Sequence, residues 1–193
     1  MMRSGRLFRD GVATFALLGI LSLLASKLNN RPEPVQTGEF YVIDGDTLSA
    51  NGERLRLKGI DAPEYRQPCR RDGADWACGE EARKALVTIV KTGRPECRGG
   101  ERDRYGRLLV TCVVGDVDIN AALVRTGMAL SYGGYAAEER IARQAKLGVW
   151  AGDFERPADY RREERGKQSA AGGPMKGLID YISQSIGWGS HGE

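Results

Sequence analysis

The sequence predicts an α+β domain with a small β-barrel, preceded by an apolar N-terminal helix. Two extended runs, Phe40 to Ser49 and Glu53 to Ile60, flank Ala50-Asn51-Gly52, where Asn-Gly offers the positive φ of a tight hairpin turn. Two further short runs, Glu96 to Arg98 and Leu108 to Val114, are separated by the polar turn Gly99 to Gly106. Segments of helical period lie between and after these runs, and short strands with interposed helices are the pattern of an α+β domain.

From the N-terminus, Arg3, Arg6 and Arg9 precede the apolar run Gly11 to Ser26, the charge-then-apolar order of an export signal. At about 1.5 Å per residue that run makes a helix of about 24 Å, short of a hydrocarbon core of about 30 Å. A cleavable signal fits this length. Leu23 or Leu24 at the −3 position fits the small-residue rule poorly, however, so the reading leans to an uncleaved membrane anchor over residues 1–28. Residues 29–38, with Pro32 and Pro34, read as a linker. The formal net charge of +3 resides in the first 30 residues, where Arg3, Arg6, Arg9 and Lys27 face only Asp10. The remaining body is neutral, so attraction to nucleic acid must come from local clusters.

The stretch Val42 to Glu64 holds five carboxylates and three cations. Arg54, Arg56 and Lys58 alternate with Leu55 and Leu57, which places the cations on one face and the leucines against a core. Asp44 and Asp46 alternate with Gly45 on the preceding run and are expected to share a face. Pro63 ends the ladder and stiffens the loop bearing Asp61 and Glu64. Adjacent antiparallel strands would gather Asp46, Arg56, Asp61 and Glu64 into one volume. Carboxylates brought so close need a bound cation, protonation or paired arginines. An all-oxygen set favours a hard ion, Ca²⁺ or Mg²⁺, over zinc. For DGD alone, a solvated hairpin end is the simpler reading.

Tyr65 to Gly79 reads as a loop, and Gly79 to Lys91 as an amphipathic helix with Ala82, Ala85, Leu86, Ile89 and Val90 on one face. Asp118 is placed as the N-cap of a helix over Ile119 to Thr126, and a third helix spans about Ala136 to Lys146. Four cysteines in an exported chain predict two disulfides, with three pairings open. Cys97 with Cys112 and Cys69 with Cys78 are favoured, because the first pair flanks one hairpin and the second lies in one loop. Zinc is the competing use, weakened by the absence of CxxC and the position of the single histidine, His191, in the tail. Residues 153–193 read as a charged tail: Asp153 to Gln168 carries five cations and five carboxylates, and Met175, Leu178, Ile179, Ile182 and Ile186 form a short amphipathic segment.

The order IDGDT from Ile43, RLKGIDAPE from Arg56 and DRYGR from Asp103 resembles the thermonuclease, or staphylococcal-nuclease-like, family of Ca²⁺-dependent nucleases, over about Glu39 to Trp150. The resemblance implies an OB-like five-stranded barrel with about three helices, over residues 39–152. It implies hydrolysis of DNA and RNA at the 5′-oxygen side, leaving 3′-phosphates, with nucleic acid as partner. Asp46 and Asp61 would be carboxylate ligands of Ca²⁺ and the Ala62 carbonyl another ligand, with Asp44 behind them. Arg56 and Arg107 would clamp phosphate, and Glu64 would orient or deprotonate the attacking water. Arg104 and Tyr105 would touch phosphate or base, or simply form the turn. Tyr132 and Tyr135 match the family's base-stacking tyrosines in imperfect register. The cysteine-bearing loop departs from the simplest members. Two other classes stay open, a nuclease-like module that binds without cutting and a phosphomonoesterase. Retention of Asp46, Arg56, Asp61, Glu64 and Arg107 argues against the first. A monomer is expected.

Overall fold

The computed structural model describes residues 4–29 and 33–171. It divides into two compact units, one ending at Pro34 and the other beginning at Val35. The first is the 26-residue helix α1, Ser4–Asn29, whose large apolar side chains between Val12 and Leu24 are exposed. Among the described residues no helix is long and apolar enough to cross a membrane, so the uncleaved anchor finds no support. Gly11, Thr14, Gly19 and Ser22 dilute the apolar run, and Lys27 follows it. The amphipathic segment expected after Pro174 lies outside the described residues.

The second unit is a curled sheet with helices packed on it. Strands β1 (Val35–Gln36), β2 (Tyr41–Val42), β3 (Thr47–Ala50) and β4 (Glu53–Leu57) precede β5 (Ile60–Asp61). The β3–β4 hairpin turns on Asn51 and Gly52 at φ 52° and 77°, with Ala50 opposite Glu53, so Ala50 belongs to the strand and the turn has two residues. The run expected from Phe40 to Ser49 is broken in two. β2 folds back antiparallel on β3, and residues 43–46 connect them. Two features force the break. Asp44 Oδ1 accepts the Asp46 N–H at 3.1 Å, an Asx turn. Gly45 also sits so close to Ala62 and Ala82 that a Cβ would lie 2.7 and 2.8 Å from theirs. Asp44 and Asp46 therefore belong to a turn rather than to one strand face.

Strands β6 (Cys69–Arg71) and β7 (Ala74–Trp76) form a small hairpin, followed by helix α2 (Cys78–Val90). Strand β8 (Pro95–Arg98) pairs antiparallel with β9 (Leu108–Val114), and β1, in the region read as linker, adds to the free edge of β8. β9 also runs parallel to β4, with Leu55 opposite Leu108, which curls the sheet onto itself. Beyond β10 (Val117–Asp118) comes α3 (Ile119–Arg125), whose N-cap Asp118 accepts the Ala121 N–H at 2.9 Å as expected. The fully buried Asn120 holds the β4–β9 seam. Its Nδ2 donates to the Lys58 carbonyl at 2.9 Å and its Oδ1 accepts the Cys112 N–H at 3.2 Å. Strand β11 (Leu130–Ser131) pairs with β5, so Asp61 is strand-held opposite Leu130 rather than loop-borne. Helix α4 (Ala136–Gln144) and a 3-10 turn (Gly148–Ala151) lead to α5 (Pro157–Ala171), an ordered helix in the region read as tail.

Leu48, Leu55, Leu57, Ile60 and Val110 of the sheet pack with Leu86 of α2 and Leu123 of α3, all fully buried. The architecture is α+β with an OB-like curled sheet, as the sequence predicts. Both favoured disulfides are formed, Cys69–Cys78 and Cys97–Cys112. Cys97 and Cys112 stand directly opposite each other on β8 and β9, under the turn that carries Arg107. Closing a loop of this length contributes about 3 kcal/mol. Replacing both Cys97 and Cys112 by Ala is expected to lower the unfolding free energy by at least about that amount in urea titration; a loss below about 1 kcal/mol would show that the sheet alone fixes this register.

Candidate active site

β4 alternates, so Leu55 and Leu57 face the core while Arg56 projects from the opposite face, yet Arg56 is only 7% exposed. Its guanidinium pairs with Asp46 and, at 2.7 Å, with Asp61 Oδ1. Asp46 is as deeply buried. Its Oδ2 also accepts the Ala62 N–H at 2.8 Å, and its Oδ1 accepts the Thr47 hydroxyl at 3.1 Å. Burial lowers the pKa of Arg56 and the nearby charge of Arg107 adds to the fall, whereas Asp61 opposes it. An arginine stays protonated regardless, so the site holds a permanent buried cation between two carboxylates.

Arg107 comes from the turn ahead of β9. Asp103 organises that turn, its Oδ1 accepting the N–H groups of Tyr105 and Arg107 at 2.9 and 3.0 Å. Its Oδ2 accepts Nε and Nη2 of Arg107 at 2.8 and 2.7 Å, a forked pair that aims the guanidinium. Nη1 of Arg107 then lies 3.4 Å from the Thr47 hydroxyl, beside Asp46. Burial alone would raise the Asp103 pKa, but these hydrogen bonds outweigh it and hold the carboxyl below its ordinary value of 3.8.

These groups line one cleft of about 690 Å³, whose walls carry five carboxylates and six guanidinium groups. Asp46, Arg56, Asp61, Glu64 and Arg107 all face it. Arg104, Tyr105 and Tyr132 form its rim, with the Arg104 and Arg107 guanidinium carbons 4.9 and 5.5 Å from the Tyr105 ring centre. Tyr135 does not reach the cleft. It packs on the core near Thr111 and Asp118, and burial first, then Asp118, raises its pKa. Tyr105 and Tyr132 therefore line the cleft and Tyr135 packs on the core.

Two arginines of the cleft, Arg156 and Arg161, carry no mark in the sequence, and Arg161 makes the closer contacts. Arg161 of α5 donates to Glu64 Oε1 at 2.6 Å and from Nη2 to both oxygens of Asp61 at 3.0 Å. Its charge was hidden in a run of balanced charges that reads as solvated surface. Pro157, a residue favoured in the first turn of a helix, was the available signal that an ordered element begins there.

Among the described residues no group of three or more His, Cys, Asp or Glu gathers as a ready-made metal site. The donor chemistry nevertheless fits a hard cation. Asp46 and Asp61 converge on a single positive group in an open cleft, and Ca²⁺ or Mg²⁺ completes its shell with water. The Ala62 backbone lies beside Asp46, as their hydrogen bond shows.

Carboxylates and forked guanidinium groups on an OB-like sheet define a phosphate-handling domain. The chain belongs to the family described as staphylococcal nuclease homologue, whose model matches residues 54–152. A succinoglycan biosynthesis protein, ExoI, of Rhizobium meliloti strain 1021 is 37% identical over 152 residues, covering 74% of this chain and 79% of that protein. A probable staphylococcal-like nuclease of Oryza sativa subsp. japonica is 31% identical over 65% of this chain, which spans about a third (34%) of that protein's length. An uncharacterized endonuclease of Escherichia coli O157:H7 is 35% identical over 57% of this chain and 73% of its own length.

The Asp103–Arg107 pair makes a pH-dependent contribution. With its folded pKa lowered, Asp103 stabilises the native state above the ordinary value, and the effect is lost as pH falls through the folded value. Asp103→Asn is expected to cost about 1 kcal/mol at pH 7 in urea unfolding. The gap from the unsubstituted chain should close as the pH drops below 3.8; a gap unchanged with pH would contradict this.

Proposed function

We propose that the chain is a Ca²⁺-dependent nuclease that hydrolyses phosphodiester bonds of DNA and RNA and leaves 3′-phosphates. The observation that carries this reading is the convergence of Asp46, Arg56, Asp61, Glu64 and Arg107 on one cleft. Family membership supports nucleic acid as the substrate. The charge balance of the cleft bears on the metal. With one guanidinium in excess over the carboxylates, the walls offer little net attraction to a phosphodiester, so a divalent cation would tip the cleft toward binding.

Asp46 and Asp61, with the Ala62 carbonyl, are the groups that would hold Ca²⁺, which supplies positive charge beside a nonbridging phosphate oxygen. Arg56 and Arg107 present forked N–H donors, suited to the charge that accumulates on phosphate oxygens in the five-coordinate state. Glu64, whose Oε1 accepts from Arg161, aims or deprotonates the attacking water. The water oxygen bonds to phosphorus, and the bond to the 5′ oxygen breaks, that oxygen keeping the electron pair and taking a proton from solvent to leave as a hydroxyl. The two disulfides support an oxidising compartment, reached by export through residues 1–28.

Incubating the full chain with a single-stranded DNA oligonucleotide, with Ca²⁺ or with chelator, tests this directly. Scission only with Ca²⁺ and 3′-phosphate ends are expected. Binding without scission would make it a nuclease-like module, and release of terminal phosphate alone a phosphomonoesterase. Glu64→Gln is expected to reduce kcat by about 10²- to 10⁴-fold while oligonucleotide binding persists; equal loss of both would remove Glu64 from the chemistry.

A further inference from the structure

We infer that Arg161 is a positioning residue for phosphodiester hydrolysis, fixing Glu64 relative to Asp61. The inference rests on the nuclease reading above. Arg161 lies beyond residue 152, where the family match ends. Its guanidinium spans the two carboxylates, with Nη1 on Glu64 at 2.6 Å and Nη2 on Asp61 at 3.0 Å. Arg56 pairs with Asp46 and Asp61, and Arg107 with Asp103, so neither bridges Glu64 to Asp61. Among the described residues Arg161 is the cation paired with Glu64.

A second tie between the same two segments shows that this contact is built. Gln67 is 1% exposed and both ends of its amide are used. Its Oε1 accepts the Glu64 N–H at 3.1 Å, and its Nε2 donates to the Glu155 carbonyl at 2.6 Å. The backbone of Glu64 is therefore joined through Gln67 to the segment that starts α5, and α5 returns Arg161 to the side chain of Glu64. Nearby, Arg70 and Asp153 exchange backbone hydrogen bonds at 2.8 and 2.9 Å, and Phe154 packs edge-on against Trp150 at 5.0 Å. These contacts fix residues 153–155, immediately ahead of α5, and none of them involves Arg161. Burial would lower the pKa of Arg161, but its bonds to Asp61 and Glu64 outweigh that and raise it, so the bridge stays charged.

The test uses the full chain, a single-stranded DNA oligonucleotide and CaCl₂. Arg161→Ala is expected to lower kcat by about 10- to 100-fold with KM changed less than about threefold, the signature of an interaction that matters in the transition state. Ca²⁺ affinity by calorimetry and the Tm should stay near those of the unsubstituted chain. Arg161→Lys, which keeps the charge but not the fork, should recover part of the loss. Arg162→Ala removes an outward-facing neighbour paired with Asp159 and should change nothing. An unchanged kcat in Arg161→Ala would overturn the inference. So would tighter Ca²⁺ binding with faster cleavage at low Ca²⁺, which would make Arg161 a tethered competitor of the metal. If Arg161→Ala fails to fold, Arg161→Lys decides: unchanged kcat with an unchanged Tm would leave Arg161 a staple only. An unsubstituted chain that cleaves nothing would instead sink the nuclease reading itself.

Discussion

Asp46 and Asp61 share a cleft because the Arg56 guanidinium lies between them. Two like charges on one guanidinium repel each other, so the gathering would not persist without a cation. Burying that cation costs free energy in turn, and the fall in Arg56 pKa on burial is the sign of it. The surroundings answer this cost with hydrogen bonds. Thr47 and Ala62 donate to Asp46, and Asp61 accepts from Arg56. The same balance recurs at the edges, where Asp103 engages Arg107 and Arg161 engages Glu64.

Placing these groups is a backbone problem, and the chain solves it at both walls with covalent and close-contact restraints. Arg107 follows a turn organised by Asp103, on a strand whose Cys112 is bonded across the sheet to Cys97. Glu64 lies on the opposite side, in a loop held by Gln67 and leading to the Cys69–Cys78 bridge. Between the walls, the close approach of Gly45 to Ala62 and Ala82 brings the turn bearing Asp46 against the strand end bearing Asp61. The side chains lining the cleft thus lie within a few residues of a disulfide, a buried amide or a contact that admits no side chain, the kind of support that preorganises a site.

Local chemistry made much of this legible in the sequence. The Asn-Gly turn, the alternation of Arg54, Arg56 and Lys58 with two leucines, the N-cap at Asp118 and the pairing of the cysteines each depend on residues near one another in the chain, and each appears in the structure. The misreadings arise where long-range contact decides. Residues 40–49 have strand character throughout, but Gly45 packs against α2 and splits the run. Asp61 looked like a loop residue because its partner, Leu130, lies far along the chain. Tyr135 shares the ALSYGGY segment with Tyr132, yet the start of α4 turns it toward the core. Arg161 was the least visible, since one arginine among five cations and five carboxylates carries no mark of the carboxylates it will meet about a hundred residues earlier in the chain.

That distance gives α5 its physical meaning. A glutamate free to rotate at the mouth of a cleft loses up to about 1.5–2 kcal/mol of side-chain entropy when it is fixed. If that loss falls in the transition state it slows the reaction, at about tenfold per 1.4 kcal/mol. Here the restraint is met during folding, through the paired ties of Gln67 to the Glu64 backbone and Arg161 to its carboxylate. The packing of Trp150 with Phe154 and the backbone bridge between Arg70 and Asp153 secure the segment ahead of α5 without touching Glu64 or Asp61. Contacts remote from the cleft thus order one of its carboxylates, with Glu64 Oε1 held by Arg161.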